Sequence, residues 1–329
     1  MQRISVVIPA KNEAAGIGRT IEVVRQHLEG LDVEPEIIVV DDGSTDGTFA
    51  AVGAVAQRFP GVCCVSLSRN FGKEAAMLAG LTAATGDAAV TMDADLQHPP
   101  TLLPEMIRRW RAGAQVVHAV KEQRPGEPLL TRLRAGAFNF VLERLGGIEA
   151  EGCSDYKLLD AAVVQVLTSR LLERHRFYRG LATWVGYRQE SVGFSVGSRD
   201  SGASKFTLKM LLNLAATAII SFSTIPLRIV AIFGVLTLLL GLGVGAEALW
   251  SRFHGEAVSG FATLILTLLI IGSFIMISLG VIGEYIGRIY EEIKARPSYL
   301  VGGILGVGPE AAARLQAPQP LQRRGKVGN

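Results

Sequence analysis

The chain has 329 residues, 49% of them hydrophobic and 19% charged, with a formal net charge of +3. That balance excludes nucleic-acid binding driven by bulk charge, and the length supplies one large or two modest domains with ample core. Three cysteines, Cys63, Cys64 and Cys153, make no CxxC and no cysteine-histidine ligand spacing, which argues against a disulfide framework or a zinc site and fits a reducing cytosol.

The opening MQRISVVIPA has too short an apolar stretch for a secretory signal and reads as a first strand. Ile4 to Ala10, Glu36 to Asp42, Val62 to Ser68 and Ala88 to Ala94 are β-branched runs, each followed by turn residues and a helix-like segment. This alternation predicts an α/β fold: a mostly parallel sheet with helices on both faces and ligands beyond the carboxyl ends of the strands. Those ends carry PAKNE (Pro9 to Glu13), DDGSTDG (Asp41 to Gly47), SRNFGKE (Ser68 to Glu74) and DADLQHPP (Asp93 to Pro100). Taken singly, each is ordinary turn and cap chemistry; together, four polar loops converge on one rim.

In the fourth loop, the two-residue period of a strand puts Asp93 and Asp95 on one face, where they can share a cation. Hard carboxylate oxygens beside an amide suit Mg2+ or Mn2+, which completes its shell with water and substrate phosphates. A plainer alternative stays open, a strand end in which Asp95 precedes and caps a helix from Thr101. His98 reads as a loop residue. A hydrolytic acid/base pair would need carboxylates on opposite sides of the scissile bond, which neighbours on one strand face do not provide.

A fifth strand is expected over Gln115 to Lys121, followed by a basic connection containing Arg124, Arg132 and Arg134. Then come EGCSDYKLLD (Glu151 to Asp160), RHRFYRGLATWVGY (Arg174 to Tyr187) and the basic loop SRDSGASKF (Ser198 to Phe206). Beyond these, Ile229 to Ala246 has no charged residue and Phe261 to Ile282 is 22 residues without one. Each is long enough to cross about 30 Å of hydrocarbon, which predicts a two-helix transmembrane hairpin with spans over 229–249 and 261–282. Lys205, Lys209 and Arg228 precede it, Arg288, Lys294 and Arg296 follow it, and the connecting loop 250–260 holds Arg252 alone. The positive-inside bias then places a domain over 1–206 and both termini in the cytoplasm. Interfacial helices are expected over 207–228 and 283–297, the latter with simple continuation of the second span as its alternative. The tail over 298–329, rich in Gly, Ala and Pro from Gly302 onward, reads as largely disordered.

VVIPAKNE, VVDDGSTDGT, RNFGKEAAMLAG, Gly86-Asp87 and MDADLQHPP together resemble the family-two glycosyltransferases of GT-A fold, specifically the polyprenyl-phosphate glycosyltransferases. The resemblance continues through GASKF, the two spans and GVIGEYIGRIYEEIKARPSYLV, covering roughly residues 3 to 301. It implies a Rossmann-like GT-A domain and an inverting transfer of a hexose from a UDP-sugar to undecaprenyl or another polyprenyl phosphate at a bacterial plasma membrane. Pro9, Asn12, Glu13 and Asp42 would hold the base and ribose, Asp93 would contact the sugar nucleotide, and Asp93, Asp95 and Gln97 would bind Mg2+ or Mn2+. Asp95 and Asp155 are the implied catalytic acids, with Asp155 left open between orienting the sugar, stabilising charge at the anomeric carbon and acting as a base. Arg124, Arg132, Arg134, Arg179, Arg199 and Lys205 are the candidate cations for the acceptor phosphate; Arg199 and Lys205 match the family's basic loop best.

UDP-glucose is the first expectation for the donor, with UDP-N-acetylglucosamine, UDP-galactose-type, formylated aminoarabinose and GDP-mannose donors open. A homo-oligomer is expected and nucleic acid is not. A processive polysaccharide synthase is disfavoured because its QxxRW motif is missing; the nearest string, MIRRW at Met106 to Trp110, has Met for Gln. A dinucleotide oxidoreductase lacks its third glycine after Gly16 and Gly18. A membrane-tethered scaffold without catalysis is the remaining alternative.

Overall fold

The computed structural model describes residues 1–121, 153–171, 173–174, 176–194, 225–254 and 261–317. Strands β1 (Gln2–Ala10), β2 (Val33–Asp41), β3 (Val62–Leu67) and β4 (Ala88–Thr91) alternate with helices α1 (Ile17–Leu28), α2 (Thr48–Ala56) and α3 (Lys73–Ala83). A single 3-10 turn (Pro100–Leu102) leads into α4 (Leu103–Arg111) and β5 (Val116–Lys121). Next come β6 (Cys153–Asp160), α5 (Ala161–Ser169), α6 (Tyr178–Trp184) and β7 (Gln189–Phe194). With β8 (Val301–Leu305), the strands form one eight-stranded sheet in the order β7-β5-β6-β4-β1-β2-β3-β8.

β1 and β2 are apolar and buried on both faces over Val6 to Ile8 and Ile37 to Val40 because both faces of the sheet are covered, as a parallel sheet between helix layers requires. On one face Ile4, Val6 and Ile8 pack with Ile17, Ile21 and Val24 of α1 and with Met106 and Ile107 of α4. On the other, Val7, Ile38 and Val40 pack with α3, α5 and α6. Helix α3 meets this second face through Ala75, Ala76, Ala79 and Gly80. Its approach is so close that a Cβ on Gly80 would lie 2.2 Å from Val7 Cγ1.

Among the described strands, only β6 and β8 run against the others. β6 lies between β4 and β5, with Thr91 opposite Lys157. The amino-terminal end of β6, carrying Asp155, therefore sits at the rim where the parallel strands finish.

The strand carrying the acid pair is shorter than its apolar run suggests. β4 ends at Thr91, so Asp93 and Asp95 do not share a strand face. They stand in a turn in which Leu96 takes φ 55° and Asp95 Oδ1 accepts from the Gln97 backbone N–H at 3.1 Å. That local hydrogen bond competes with the ladder and ends it.

Two further boundaries are corrected. No separate interfacial helix begins at residue 283: α7 (Ile225–Phe253) is followed by α8 (Phe261–Ile293), which passes through that point unbroken. Extending a helix is easier than nucleating a new one, and no proline intervenes before Pro297. The expected interfacial segment before the first span lies mostly outside the described residues.

The tail is not disordered throughout either. β8 pairs antiparallel with β3, Ser68 N–H donates to Leu300 O at 2.8 Å, and α9 (Pro309–Gln316) buries Ala311 and Leu315. An open sheet edge is a template for such pairing. Gly302 serves close approach rather than disorder, since a Cβ there would stand 3.2 Å from Ser68 Cα.

α7 and α8 contain apolar stretches, Ile225–Ser251 and Leu264–Ile293, long and apolar enough to cross a membrane and not buried inside the protein. The helices pack on each other, with the Phe233 and Phe274 rings stacked 5.3 Å apart. The polar end of α8 touches the sheet domain: Glu292 Oε1 accepts from Arg174 N–H at 2.7 Å, and Glu291 pairs with the Arg174 side chain at 3.3 Å.

Candidate active site

The four rim loops are tied to one another before any ligand is considered. Asn12, at φ 55°, donates its backbone N–H to Ser44 Oγ at 2.9 Å and accepts from Thr45 N–H through Oδ1 at 3.0 Å, joining the first loop to the second. Asp42 is buried and accepts from Phe71 N–H at 2.7 Å and Gly72 N–H at 2.9 Å, joining the second to the third. Gly43, at φ 65°, allows that crossing; a Cβ there would be 2.4 Å from the Arg69 carbonyl carbon. The expected donor ligands Asn12 and Asp42 thus also brace the rim; turn formation is the alternative reading of Asn12, whereas the bracing by Asp42 is not read from the sequence.

The loops enclose a cleft of about 370 Å³ lined by Pro9, Glu13, Asp42, Lys73, Asp93 and Asp95, among others. Asp95 and Gln97 are exposed beside it. Among the described residues, no group of three or more His, Cys, Asp or Glu side chains forms a ready-made metal cluster. The chain offers instead two hard carboxylates and one amide. That set fits a Mg2+ or Mn2+ ion whose remaining ligands come from water and a diphosphate.

The third loop supplies a cation that the sequence reading passed over. Lys73 Nζ lies 2.5 Å from Asp93 Oδ1 and 2.6 Å from Asp155 Oδ2. Arg179, expected as an acceptor ligand, forks onto the same Asp155, with Nε 2.7 Å from Oδ1 and Nη2 3.1 Å from Oδ2. Burial pushes the Asp155 carboxyl up, but the Arg179 fork and the Lys73 ammonium outweigh it and hold the group below the usual carboxylate range. A carboxylate so held is a weak base. Of the three roles open for Asp155, orientation and charge stabilisation fit this geometry and general base does not.

The surroundings fix these groups in place. Thr91 Oγ donates to the Asp155 carbonyl at 2.6 Å and lies 2.8 Å from the buried Tyr178 hydroxyl. Lys157, fully buried two residues further along β6, donates to the Arg179 carbonyl at 3.3 Å and bonds His118 Nδ1 at 3.1 Å. Burial, and then the Lys157 charge, push His118 down to about 4, so its ring stays neutral and accepts from the lysine. Glu74, beside Lys73, accepts from Tyr178 N–H at 3.0 Å; burial first, then the Asp155 charge, push its carboxyl up to about 7.

His98 is more than a loop residue: its ring packs 5.2 Å from Tyr156 and its Nδ1 stands 3.8 Å from Asp93 Oδ2. Trp184 is 66% exposed and so stands outside the core. Arg124, Arg132, Arg134, Arg199 and Lys205 lie outside the described residues. Lys73 did carry a sequence signal. It opens an 11-residue helix, where the macrodipole disfavours a cation, and such a breach of local preference marks a position with another purpose.

A mostly parallel sheet with helices on both faces, and an acidic turn at the carboxyl edge of a central strand, is the arrangement expected of a GT-A-like nucleotide-sugar enzyme. Comparison with known proteins gives the family. Residues 5–167 match the model described as Glycosyl transferase family 2, and residues 225–289 match the GtrB C-terminal hairpin. An uncharacterized glycosyltransferase of Synechocystis, sll0501, is 39% identical over 92% of this chain and 96% of its own. The prophage bactoprenol glucosyl transferase homolog of Escherichia coli is 37% identical over 91% of this chain and 98% of its own. The bactoprenol glucosyl transferase of Shigella phage SfII is 37% identical over 91% and 97%. The chain belongs to glycosyl transferase family 2 and is a glycosyltransferase.

Proposed function

We propose that this chain is a membrane-held, inverting glucosyltransferase that moves glucose from UDP-glucose to a polyprenyl phosphate such as undecaprenyl phosphate. The observation that carries the reading is the cleft lined by Pro9, Glu13, Asp42, Lys73, Asp93 and Asp95, in which Lys73 links Asp93 to the Asp155–Arg179 pair. Relatives named bactoprenol glucosyl transferase, similar along nine-tenths of the chain, support the sugar and the acceptor.

Pro9, Asn12, Glu13 and Asp42 line or brace the region for the nucleoside. Asp93, Asp95 and Gln97 would hold a divalent cation. When bound, the cation supplies Lewis-acid neutralisation of the departing diphosphate. The acceptor, a phosphomonoester with a second pKa near 6, is largely a dianion at neutral pH and needs placement more than proton removal. Asp155, paired with two cations, orients them and the sugar. Arg179, with Arg124, Arg132, Arg134, Arg199 and Lys205 as further candidates, draws in the phosphate. One acceptor oxygen forms a bond to the anomeric carbon as the bond from that carbon to the diphosphate breaks, so configuration inverts once.

The hairpin of α7 and α8 would cross the bacterial plasma membrane, its outward leucines and isoleucines covered by lipid and, in a homo-oligomer, by other copies. The charge bias supports a cytoplasmic catalytic domain and cytoplasmic termini. The contact of Arg174 with Glu291 and Glu292 would then hold the cleft close to the cytoplasmic surface.

The test is transfer by the detergent-solubilised full chain, supplied with undecaprenyl phosphate and each of several labelled nucleotide sugars. UDP-glucose is expected to put label into the organic phase at least about tenfold faster than UDP-N-acetylglucosamine, UDP-galactose, a formylated aminoarabinose donor or GDP-mannose. Label from another donor alone would reassign the sugar, and none from any donor would reject lipid transfer.

A further inference from the structure

The ammonium of Lys73 touches a carboxylate of the donor cleft and the carboxylate behind it at the same time. Asp93 Oδ1 is 2.5 Å away and Asp155 Oδ2 2.6 Å away. The two acids are held differently. Asp155 keeps a bidentate Arg179 as well and is 10% exposed, whereas the Asp93 side chain is 31% exposed and its other oxygen faces the His98 ring nitrogen at 3.8 Å. If the lysine moves, the bond to Asp155 is the one backed by the buried network; the bond to Asp93 is the one open to exchange. Lys73 also stands on a four-carbon stem at the first position of α3, with its side chain 40% exposed.

We propose that Lys73 is a resident counter-cation of the donor cleft: it occupies Asp93 in the empty enzyme and yields that carboxylate only when a nucleoside diphosphate arrives with its divalent ion. The inference rests on the donor reading given above and adds an order of events to it. A divalent ion alone must displace a contact ammonium from Asp93 while gaining only the Asp95 carboxylate and the Gln97 amide beside it. With a diphosphate present, the ion brings phosphate ligands, and the displaced ammonium, still tethered to Asp155, gains phosphate oxygens as a new partner. Ion and nucleotide therefore assist each other's binding, and the coupling is reciprocal. Lys73 is a positioning residue in this account.

The experiment is a titration of the full-length protein in detergent with Mn2+, following the free-ion electron paramagnetic resonance signal, with and without UDP. The unaltered protein is expected to bind Mn2+ weakly alone and on the order of tenfold more tightly with UDP. Lys73→Met, with the competing ammonium gone, is expected to bind Mn2+ alone on the order of tenfold more tightly than the unaltered protein and to lose most of the gain from UDP. Lys73→Arg keeps the charge and is expected to behave as the unaltered protein. Lys73→Gln is a second neutral variant should the methionine form fail to fold.

Mn2+ affinity without nucleotide that is unchanged or lower in the neutral variants overturns the proposal, because a lysine that merely ties two loops together predicts that outcome. If the unaltered protein binds no Mn2+ even with UDP, the donor reading falls with it. If UDP-dependent Mn2+ binding is present but the neutral variants gain nothing, only the role of Lys73 falls.

Discussion

At the scale of single residues, the site is organised around one carboxylate that carries two cations. Asp155 holds Lys73 and Arg179 through three contacts of 2.6 to 3.1 Å, and its backbone is fixed by Thr91. Asn in its place would keep the size and remove the charge that gathers them. Asp155→Asn is expected to lower kcat by about a hundredfold or more while UDP affinity, read by titration calorimetry, changes by only a few fold. A kcat within a factor of about three of the unaltered enzyme would remove Asp155 from the chemistry. Asp93 and Asp95 were singled out in the sequence because acids at the end of an apolar run point to a rim, whereas Asp155 entered only through the family resemblance. The partnership of Lys73 with Asp155 was not legible, because it joins residues 82 apart in sequence through the antiparallel return of β6. Nor was the bracing work of Asp42, since residues that tie loops and residues that bind ligands share one vocabulary.

At the scale of elements, α3 links the core to the chemistry, because the helix that presents Lys73 rests on β1 through a glycine. Gly80→Ala would drive a Cβ against Val7 Cγ1 and Val40 Cγ2, so the helix must lift or the valines must move. The expected cost is about 1–3 kcal/mol, visible as a lower thermal midpoint, with transfer activity reduced beyond what the lost folded fraction explains. An unchanged midpoint would show that the contact relaxes freely. The first four strand–helix units were readable because each is local, with a β-branched run, a turn and a helix in succession. β8 was hidden in a stretch dominated by glycine, and its formation depends on the open edge of β3, a partner more than two hundred residues earlier. The acid turn was misread as strand because periodicity alone does not reveal where a side chain will capture a neighbouring backbone N–H, as Asp95 does with Gln97.

At the scale of the whole molecule, the chain leaves the sheet domain, makes an apolar hairpin and returns to add β8 to the sheet and α9 to its helix layer. The hairpin therefore adjoins the catalytic domain on both sides in sequence, and the charged end of α8 is fastened to it at Arg174. The sequence disclosed the hairpin through its uncharged runs, because hydropathy over a long window is insensitive to local error, but it did not disclose the return to the sheet. The most direct measurement of the central claim is the structure of the product. The full chain in nanodiscs is given UDP-glucose, whose glucose is α-linked, with undecaprenyl phosphate and Mn2+. Proton nuclear magnetic resonance of the extracted lipid is expected to show glucose β-linked to the phosphate. An α-linked product would contradict the single displacement, and a product with no sugar on the lipid phosphate would contradict the account as a whole.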